Sequence, residues 1–311
     1  KTVVVTGATG FIGKALLQML NSRGVETYAV LRNQKSDISE ITNLEYVKPI
    51  YCDMEDLAEL PRKITKKIDA FYHLAWQGVT GDARSDYDMQ LKNVKWTVDA
   101  VKAAHELGGD DSVVGAGSLA EYDVQAYAAQ DGSTPNPVSC YGSAKIAAHY
   151  MSKAECNKYE NLLHCWSYLS NIYGIGNYTS NFVNFAAKLM LTGKPADFTA
   201  GEQLYDFVSV ADTVQGLFGI GERGRKNTAY YIGSGHPKPL KEFIREIRNQ
   251  IDPTIVLHLG AVPFHGISQP PEVFCCEKLR KDTGYAPQVS FKEGMKTTIP
   301  WIQTQIRIGR L

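Results

Sequence analysis

Val3-Val4-Val5-Thr6 leads directly into Gly7-Ala8-Thr9-Gly10-Phe11-Ile12-Gly13, and residues 14–20 continue with apolar side chains at helical spacing. The apolar run predicts a buried strand, and the glycines after it predict a tight turn at the start of a helix. In this context, such a turn cradles the pyrophosphate of a dinucleotide on the helix N-terminus. We predict that a dinucleotide cofactor contacts Gly7, Thr9, Gly10, Phe11, Ile12 and Gly13. From this motif alone, a glycine-rich turn without a ligand remains the alternative.

The composition is that of an ordinary globular protein. The 311 residues are 44% hydrophobic and 21% charged, which is enough for one large α/β domain and a smaller lobe. The 33 basic and 33 acidic residues cancel, so we expect neither a nucleic-acid partner nor attraction to an anionic membrane. No apolar run reaches the roughly 20 residues that span a bilayer, and we expect a cytoplasmic protein. The six cysteines show no zinc spacing, so no metal site is predicted.

Apolar runs and helical patterns alternate along the first half of the chain. Predicted strands cover residues 27–31, 44–51, 70–74, 112–116 and 162–169. Predicted helices cover residues 86–107 and 141–159, where apolar side chains recur at helical spacing. This alternation predicts an α/β fold with a doubly wound parallel sheet and helices on both faces. We expect the loops 133–139, 174–180 and 232–239 at the carboxyl edge of this sheet, where ligands bind.

The alternation becomes less regular after about Gly174. The later predicted elements are helix 181–191, strand 206–210, helix 211–220 and helix 240–251. We predict that residues 1–174, with 206–233 returning to them, form the dinucleotide-binding domain. Residues 175–205 and 234–311 would form a smaller α/β C-terminal lobe that binds the substrate.

Tyr141 and Lys145 predict a proton-transfer site. They lie four residues apart on a predicted helix and share a face, where the ammonium can approach the phenol and favour its ionised form. This matters because a free tyrosine has a pKa of about 10 and is a poor base near neutrality. Ser118 follows a predicted strand, where its hydroxyl could bind the same substrate oxygen. Each feature alone also has a purely structural explanation: the Tyr/Lys pair could belong to a solvated helix face, and Ser118 could be a cap or turn residue.

Further motifs follow one another in a fixed order. They are Thr6–Gly13, Asp53-Met54, His73-Leu74-Ala75, Asn93, Ser118, Tyr141 with Lys145, Asn171-Ile172-Tyr173-Gly174 and Asp206-Phe207-Val208-Ser209-Val210-Ala211-Asp212. In this order and spacing they resemble the motifs of the extended short-chain dehydrogenase/reductases. Within that family, they resemble those of the nucleotide-sugar epimerases, dehydratases and reductases. The resemblance covers nearly the whole chain and implies the Rossmann fold.

The resemblance implies an enzyme that transfers hydride to or from a nucleotide-activated sugar, by 4-keto reduction or 4-epimerisation. Tyr141 would exchange a proton with the sugar oxygen, Ser118 would position that oxygen, and Lys145 would lower the pKa of Tyr141 and hold the nicotinamide ribose. Further cofactor contacts carried over from the family are Asp53, Met54, Leu74, Ala75 and Asn93. Asn171 and Asn181 match positions that contact the substrate diphosphate in the family. The side chain of either could instead only hydrogen-bond to the backbone of its loop.

Five positions depart from the family pattern. Arg32 stands where NAD-dependent members commonly carry an acidic residue, so we expect NADP(H) to be preferred over NAD(H), unless Arg32 stacks on the adenine or points to solvent. Ser118 is followed by Leu119-Ala120 where 4,6-dehydratases carry an Asp-Glu pair, which disfavours dehydration. Tyr168 and Tyr205 replace arginines. Tyr205 is predicted to bind substrate, by stacking on the nucleotide base, with simple packing as the alternative.

Two further expectations concern the protein's class and assembly. A sensor that binds NADP(H) without turnover is an alternative on the same fold, but it has no need for Ser118, Tyr141 and Lys145 together. Dimerisation through helices 86–107 and 141–159 is common in the family, and their apolar stripes permit a homodimer here.

Overall fold

The computed structural model describes residues 1–108, 112–128 and 140–311. The predicted loop 133–139 lies outside these residues. The chain divides into two compact units: unit 1 comprises Lys1–Leu169, Val214–Ile232 and Glu277–Tyr285, and unit 2 comprises Ser170–Thr213, Gly233–Cys276 and Ala286–Leu311. This division differs from the predicted one mainly at two segments, because residues 206–213 belong to unit 2 and residues 277–285 to unit 1.

Strands and helices alternate along the described residues. The strands are β1 (Thr2–Thr6), β2 (Glu26–Leu31), β3 (Val47–Tyr51), β4 (Ala70–His73), β5 (Ser112–Ala116), β6 (Leu163–Leu169), β7 (Asn171–Tyr173), β8 (Ala196–Phe198), β9 (Leu204–Tyr205), β10 (Phe207–Ser209), β11 (Thr228–Ile232), β12 (Lys238–Pro239) and β13 (Leu257–Leu259). The α-helices are α1 (Phe11–Ser22), α2 (Leu60–Lys63), α3 (Tyr87–Glu106), α4 (Ala120–Ala128), α5 (Tyr141–Cys156), α6 (Phe182–Leu191), α7 (Val210–Arg223), α8 (Leu240–Ile251), α9 (Glu277–Thr283) and α10 (Phe291–Arg307). Short 3₁₀ helices cover Met54–Glu59, Gly81–Ser85 and Pro271–Phe274.

Unit 1 is built on a seven-stranded sheet in the order β11-β6-β5-β4-β1-β2-β3. All neighbouring strands pair in parallel. From β1, the strands β2 and β3 are added towards one edge of the sheet, whereas β4, β5 and β6 are added towards the other edge. The predicted doubly wound sheet is therefore confirmed. In such a sheet the loops after β1 and β4 diverge to opposite faces and leave a crevice at the carboxyl edge, which is where ligands bind.

Burial explains why the first strand and helix form where the sequence predicts them. Val4 and Val5 of β1 are fully buried, as the uninterrupted apolar run requires for a central strand. Helix α1 buries Leu16, Leu17 and Leu20, which recur at helical spacing.

Unit 2 is a smaller α/β unit. It contains three separate strand pairs, β7 with β10, β9 with β12, and β8 with β13. Helices α6, α8 and α10 contribute buried apolar side chains to one core, among them Ala187, Ile244 and Met295. Aromatic rings fill the same core, and Phe207 lies against both Phe243 and Phe291 with ring centroids 4.9 and 5.4 Å away. The predicted α/β character of this part of the chain is confirmed.

A strand and a helix are among the elements of unit 1 that sequence reasoning missed. Strand β11 is only five residues long and completes the edge of the sheet by pairing with β6. Helix α4 has the sequence AEYDVQAYA, in which apolar and polar residues do not form a clear stripe. Both elements are short, so their local patterns carry little information. Within the described part of the chain, every helix is too short or too polar to cross a bilayer.

Candidate active site

The glycine turn after β1 brings three stretches of backbone into close contact. Gly7 has a φ of +68°, and a Cβ there would lie 2.7 Å from the carbonyl carbon of Leu74 and from the amide nitrogen of Ala75. A Cβ on Gly13 would lie 2.1 Å from the carbonyl oxygen of Gly7. Any larger residue at either position would therefore force the backbone apart.

The N-terminus of α1 is open to an anion. Gly10 is the N-cap residue, no side chain caps the helix, and the first turn contains no acidic residue. Thr9 and Gly10 are exposed, whereas Phe11 and Ile12 are half-buried. The uncapped amide groups and the helix dipole suit a phosphate. The residues present at this turn therefore fit the pyrophosphate of a dinucleotide.

The residues after β4 are fixed by Thr6 and Asn93. The Thr6 hydroxyl shares a 3.0 Å hydrogen bond with His73 Nδ1 and accepts one from the Ala75 amide at 3.3 Å. Asn93, which is almost fully buried in α3, accepts a hydrogen bond from the Gln77 amide and donates one to the Gln77 carbonyl, at 2.8 and 2.9 Å. Asn93 thus holds the loop that follows Leu74 and Ala75.

Three other predicted cofactor residues lie at the ends of β2 and β3. Arg32 follows β2 and is exposed, with no ion-pair partner among the described residues. Asp53 follows β3 and caps the short helix Met54–Glu59, since its side chain accepts a hydrogen bond from the Glu55 amide. Met54 is half-buried and packs against the apolar core of unit 1.

Tyr141, Lys145 and Ser118 lie together in unit 1. Tyr141 and Lys145 are 9% and 3% exposed, so this face of α5 is not a solvated one. Tyr141 forms a side-chain hydrogen bond with Ser118, which lies two residues beyond β5. Gly142 allows this packing, because a Cβ there would lie 2.6 Å from the Ala120 carbonyl oxygen at the start of α4.

The ammonium of Lys145 contacts a backbone carbonyl and an aromatic ring. Its Nζ donates a 2.6 Å hydrogen bond to the Ala116 carbonyl and lies 3.5 Å from the centroid of the Trp76 ring. The distance from Nζ to the centroid of the Tyr141 ring is 5.7 Å. Burial lowers the pKa of Lys145 to about 7, and the nearby Glu121 carboxylate acts in the opposite direction.

Tyr141 itself has a raised pKa, chiefly because it is buried. The hydrogen bond with Ser118 and the positive charge of Arg84 lower this pKa, and the negative charge of Glu121 raises it. His73, at the end of β4, is also buried, and burial together with the charge of Lys145 lowers its pKa to about 3. His73 is therefore neutral near physiological pH.

Further buried side chains surround this cluster. Glu121 is fully buried, and its Oε1 accepts hydrogen bonds from the Ser118 amide at 2.9 Å and from Trp166 Nε1 at 3.1 Å. Among the residues that the structure describes, its Oε2 has no hydrogen-bond partner, and it lies 3.6 Å from Nδ1 of His149. Tyr168, which replaces a family arginine, directs its hydroxyl to the same His149 nitrogen at 3.4 Å. The sequence signal for this contact was the spacing of Ser118 and Glu121. At the start of a helix, the side chain of a residue three positions later can accept a hydrogen bond from the backbone amide of the earlier residue.

The predicted substrate residues Asn171, Asn181 and Tyr205 all belong to unit 2. Asn171 Nδ2 donates a 3.4 Å hydrogen bond to the Asp206 carbonyl. Asn181 caps α6 through Oδ1, which accepts from the Asn184 amide at 3.0 Å, while its buried Nδ2 has no hydrogen-bond partner among the described residues. Tyr205 stacks on Phe207 with ring centroids 5.7 Å apart, so packing accounts for at least part of its role.

The sheet order, the open helix N-terminus and the glycine turn define a dinucleotide-binding α/β protein of the Rossmann type. Comparison with known sequences identifies it further. The chain belongs to the NAD dependent epimerase/dehydratase family, whose sequence model matches residues 3–233. It is 24% identical to dTDP-glucose 4,6-dehydratase of Haemophilus influenzae over 339 aligned residues, which cover 96% of this chain and 97% of that protein.

Solved structures show the same fold. UDP-glucose 4-epimerase of Thermotoga maritima, determined with UDP-glucose, superposes with a TM-score of 0.79 at 19% identity, covering 98% of this chain and 100% of the epimerase chain. UDP-glucuronic acid 4-epimerase of Bacillus cereus, determined with UDP-glucuronic acid and NAD, superposes with a TM-score of 0.79 at 20% identity, covering 98% and 99%.

The pH dependence of stability tests whether Lys145 is buried in this way. The pKa of Lys145 falls from 10.5 to about 7 in the folded protein, so between these values the unfolded chain binds a proton that the folded protein does not. The free energy of unfolding should therefore rise with pH in this window, by up to about 1.4 kcal/mol per pH unit from this group. Urea unfolding between about pH 7 and about pH 10 should show a smaller slope for Lys145→Met than for the wild type.

Lys92→Met is the matched control, because Lys92 is an exposed lysine that lies 3.5 Å from Glu55 on the surface. It should keep the wild-type slope. Equal slopes for wild type and Lys145→Met would contradict a depressed Lys145 pKa.

Proposed function

We propose that the protein is an NAD(P)-dependent enzyme that acts on a nucleotide-activated sugar, by 4-keto reduction or by 4-epimerisation. The observation that supports this best is the buried Tyr141 hydrogen-bonded to Ser118, with Lys145 beside it on the same helix. A buried phenol held by a hydroxyl is suited to exchange a proton with a substrate oxygen. The names of the similar proteins, which include 4-epimerases for UDP-sugars, point to the same substrate class.

The chain's own residues have defined tasks in this proposal. In the reducing direction the Tyr141 phenol gives its proton to the ketone oxygen, and in the oxidising direction its phenolate removes the proton from the sugar hydroxyl. Ser118 holds the same oxygen by a hydrogen bond. When bound, the nicotinamide dinucleotide would supply or accept the hydride. Gly7, Gly10 and Gly13 would hold its pyrophosphate, and Lys145 its ribose.

Dehydration is the second candidate, since the chain is similar to a dTDP-glucose 4,6-dehydratase. Elimination of water needs an additional acid and base beside the sugar. Leu119 and Ala120 supply neither. The nearby carboxylate of Glu121 is fully buried and accepts hydrogen bonds from Ser118 and Trp166. These observations favour reduction or epimerisation over dehydration.

Replacing Tyr141 with Phe tests the proposed function. The purified protein is incubated with UDP- and dTDP-hexoses and their 4-keto derivatives, with either nicotinamide cofactor. Product NMR detects an epimer, nicotinamide absorbance detects reduction, and mass spectrometry detects loss of water. Tyr141→Phe should lower the observed rate by about 10²–10⁴-fold, because the proton can no longer be transferred, while cofactor affinity stays near the wild-type value.

Tyr46→Phe is the control, since Tyr46 lies in unit 1 with its side chain exposed. It should keep the wild-type rate. A wild-type protein that binds cofactor but converts no substrate in this set would support the alternative of a nucleotide sensor.

Arg32 leads us to propose that NADP(H) is preferred over NAD(H). An exposed arginine at the end of β2 can pair with a 2′-phosphate, whereas the relative from Bacillus cereus was solved with NAD. In binding titrations the wild type should prefer NADPH to NADH, and Arg32→Asp should weaken NADPH binding by about ten- to a hundredfold. Arg62→Asp, at an exposed arginine paired with Glu59, is the control. Tighter NADH binding by the wild type would reverse this assignment.

We also propose a homodimer through α3 and α5, which pack against each other in unit 1. Tyr87 and Leu91 on α3 are 64% and 61% exposed, and Tyr150 and Met151 on α5 are 55% exposed each. Exposed apolar side chains on two adjacent helices suit contact with a second copy of the chain.

Changing Leu91 and Met151 together to Glu should therefore reduce the mass measured by light scattering to that of one chain, 34.4 kDa. Val256→Glu is the control, since Val256 is 70% exposed and lies in unit 2. It should keep the wild-type mass. A wild type that is already monomeric would contradict the proposal.

A further inference from the structure

Ser118 and Glu121 hydrogen-bond to each other's surroundings at the start of α4. The Oε1 atom of Glu121 accepts a hydrogen bond from the Ser118 amide at 2.9 Å, and the Glu121 amide donates one to the Ser118 carbonyl at 3.1 Å. The Oγ atom of Ser118 accepts a third, from the Ala120 amide, at 3.2 Å. This arrangement resembles the capping box of a helix N-terminus. The hydroxyl of Ser118 is therefore held by the same turn that contains Glu121.

The carboxylate of Glu121 is fully buried, and Trp166 holds it there. The indole of Trp166 in β6 donates a 3.1 Å hydrogen bond to the same Oε1 atom. A Cβ on Gly117 would lie 2.2 Å from Trp166 Nε1 and 2.6 Å from Glu121 Oε1, and a Cβ on Gly115 would lie 2.3 Å from the Trp166 ring. The absence of side chains at these two glycines, just before Ser118, thus makes room for the contact between the indole and the carboxylate.

A second serine and glutamate with the same spacing lie at the start of α10. Ser290 caps this helix and accepts a hydrogen bond from the Glu293 amide at 3.2 Å. The side chain of Glu293 is exposed and pairs with Lys296 at 2.8 Å. A helix of this chain is therefore capped without burying a carboxylate. Since burying a carboxylate is costly, capping alone does not account for the burial of Glu121.

The bonds at the start of α4 also orient the Ser118 hydroxyl. A hydroxyl rotates to suit its partners and has one proton to donate. Because Oγ of Ser118 accepts a bond from the Ala120 amide, its proton is directed to a different partner. The side chain of Tyr141 is hydrogen-bonded to Ser118 and lies at the place where a substrate oxygen would meet the same donor. Movement of the turn would release this orientation.

We propose that Glu121 is a positioning residue for Ser118. Its buried carboxylate, held by Trp166, fixes the turn in which the Ala120 amide keeps the Ser118 hydroxyl directed to the reacting oxygen. This inference deepens the proposed function and rests on Ser118 as the residue that holds that oxygen. Glu121 acts through Ser118 and contacts neither substrate nor cofactor. Its hydrogen-bonding oxygen is what matters for this role, and its charge is not.

Steady-state kinetics of two Glu121 variants separate these properties. Glu121→Leu removes the acceptor and should lower kcat about 10- to 100-fold, because a displaced hydroxyl holds the reacting oxygen poorly, while the cofactor Kd stays unchanged. Glu121→Gln keeps a carbonyl oxygen but no charge, and its kcat should stay within about threefold of the wild type. An equal loss in both variants would show that the negative charge, 3.6 Å from His149, is required, and would overturn the proposal. Glu293→Leu is the matched control and should keep the wild-type kcat.

A double-mutant cycle with Ser118→Ala tests whether Glu121 acts through Ser118. In the Ser118→Ala background, Glu121→Leu should lower kcat less than about twofold further, because no hydroxyl is left to position. The full loss in that background would overturn the proposal. So would a Glu121→Leu variant that unfolds at lower urea concentration but keeps the wild-type kcat, since this is the result of a purely structural role.

Hydrogen exchange tests the contact without a substrate. The protein is labelled with ¹⁵N-serine, and the Ser118 amide resonance is assigned by its loss in Ser118→Ala. Exchange of this amide should be about tenfold or more faster in Glu121→Leu than in the wild type, and slower in Glu121→Gln than in Glu121→Leu. Circular dichroism verifies folding, and Glu121→Met replaces Glu121→Leu where the leucine variant does not fold.

The outcomes distinguish this inference from the proposed function. Unchanged exchange of the Ser118 amide in a folded Glu121→Leu variant overturns the role of Glu121, even where Tyr141→Phe abolishes turnover. A wild-type protein that binds cofactor but converts no substrate contradicts the proposed function, and the exchange rates still decide whether Glu121 holds Ser118.

Discussion

The rest of unit 1 depends on the close approach of backbone at Gly7. The turn after β1, the start of α1 and the residues after β4 meet there, at distances that leave no room for a Cβ on Gly7 or Gly13. This contact fixes the positions of two loops at the point where the strand order reverses. The contact sets the direction in which α1 begins, and it also sets the path of the segment from Ala75 to Trp76. Since Trp76 contacts Lys145, the packing at the glycines also affects the position of the Lys145 side chain.

Much of the fold was predictable because it depends on local pattern. Strand β5 and helix α8 have the predicted boundaries, since each is an apolar run or a strongly amphipathic stretch with clear ends. Strand β11 and helix α4 were missed, because their stability comes from pairing with β6 and packing on α5. The candidate site residues were predicted from motif and spacing, and they remain predictions. Trp76 and Arg84 were not predicted, since their contacts with Lys145 and Tyr141 join segments that are distant in the chain and leave no local signal.

The candidate site places ionisable side chains where burial disfavours their charged forms. Lys145, Glu121 and His73 are all buried, and burial lowers the pKa of both Lys145 and His73. An isolated buried charge is costly, so such groups need partners or become neutral. The ring of Trp76 and the carbonyl of Ala116 provide those partners for Lys145, and backbone and indole N–H groups do so for Glu121. Groups whose protonation is balanced in this way are common at sites of proton transfer.

The interleaving of the two units has a consequence for how the chain folds. Unit 1 is complete only when Glu277–Tyr285 has joined it, and the side chain of Asp282 in this segment accepts a hydrogen bond from the Tyr230 hydroxyl and pairs with Arg225 at 2.8 Å. Two excursions of the chain into unit 2 separate the pieces of unit 1, so many of its contacts join residues far apart in sequence. Folds with such non-local contacts form slowly and pass through partly assembled states with exposed apolar surface. A fragment that ends before residue 277 would lack α9, so unit 1 cannot be isolated by truncating the chain at one point. During folding, the slow assembly of this architecture competes with aggregation.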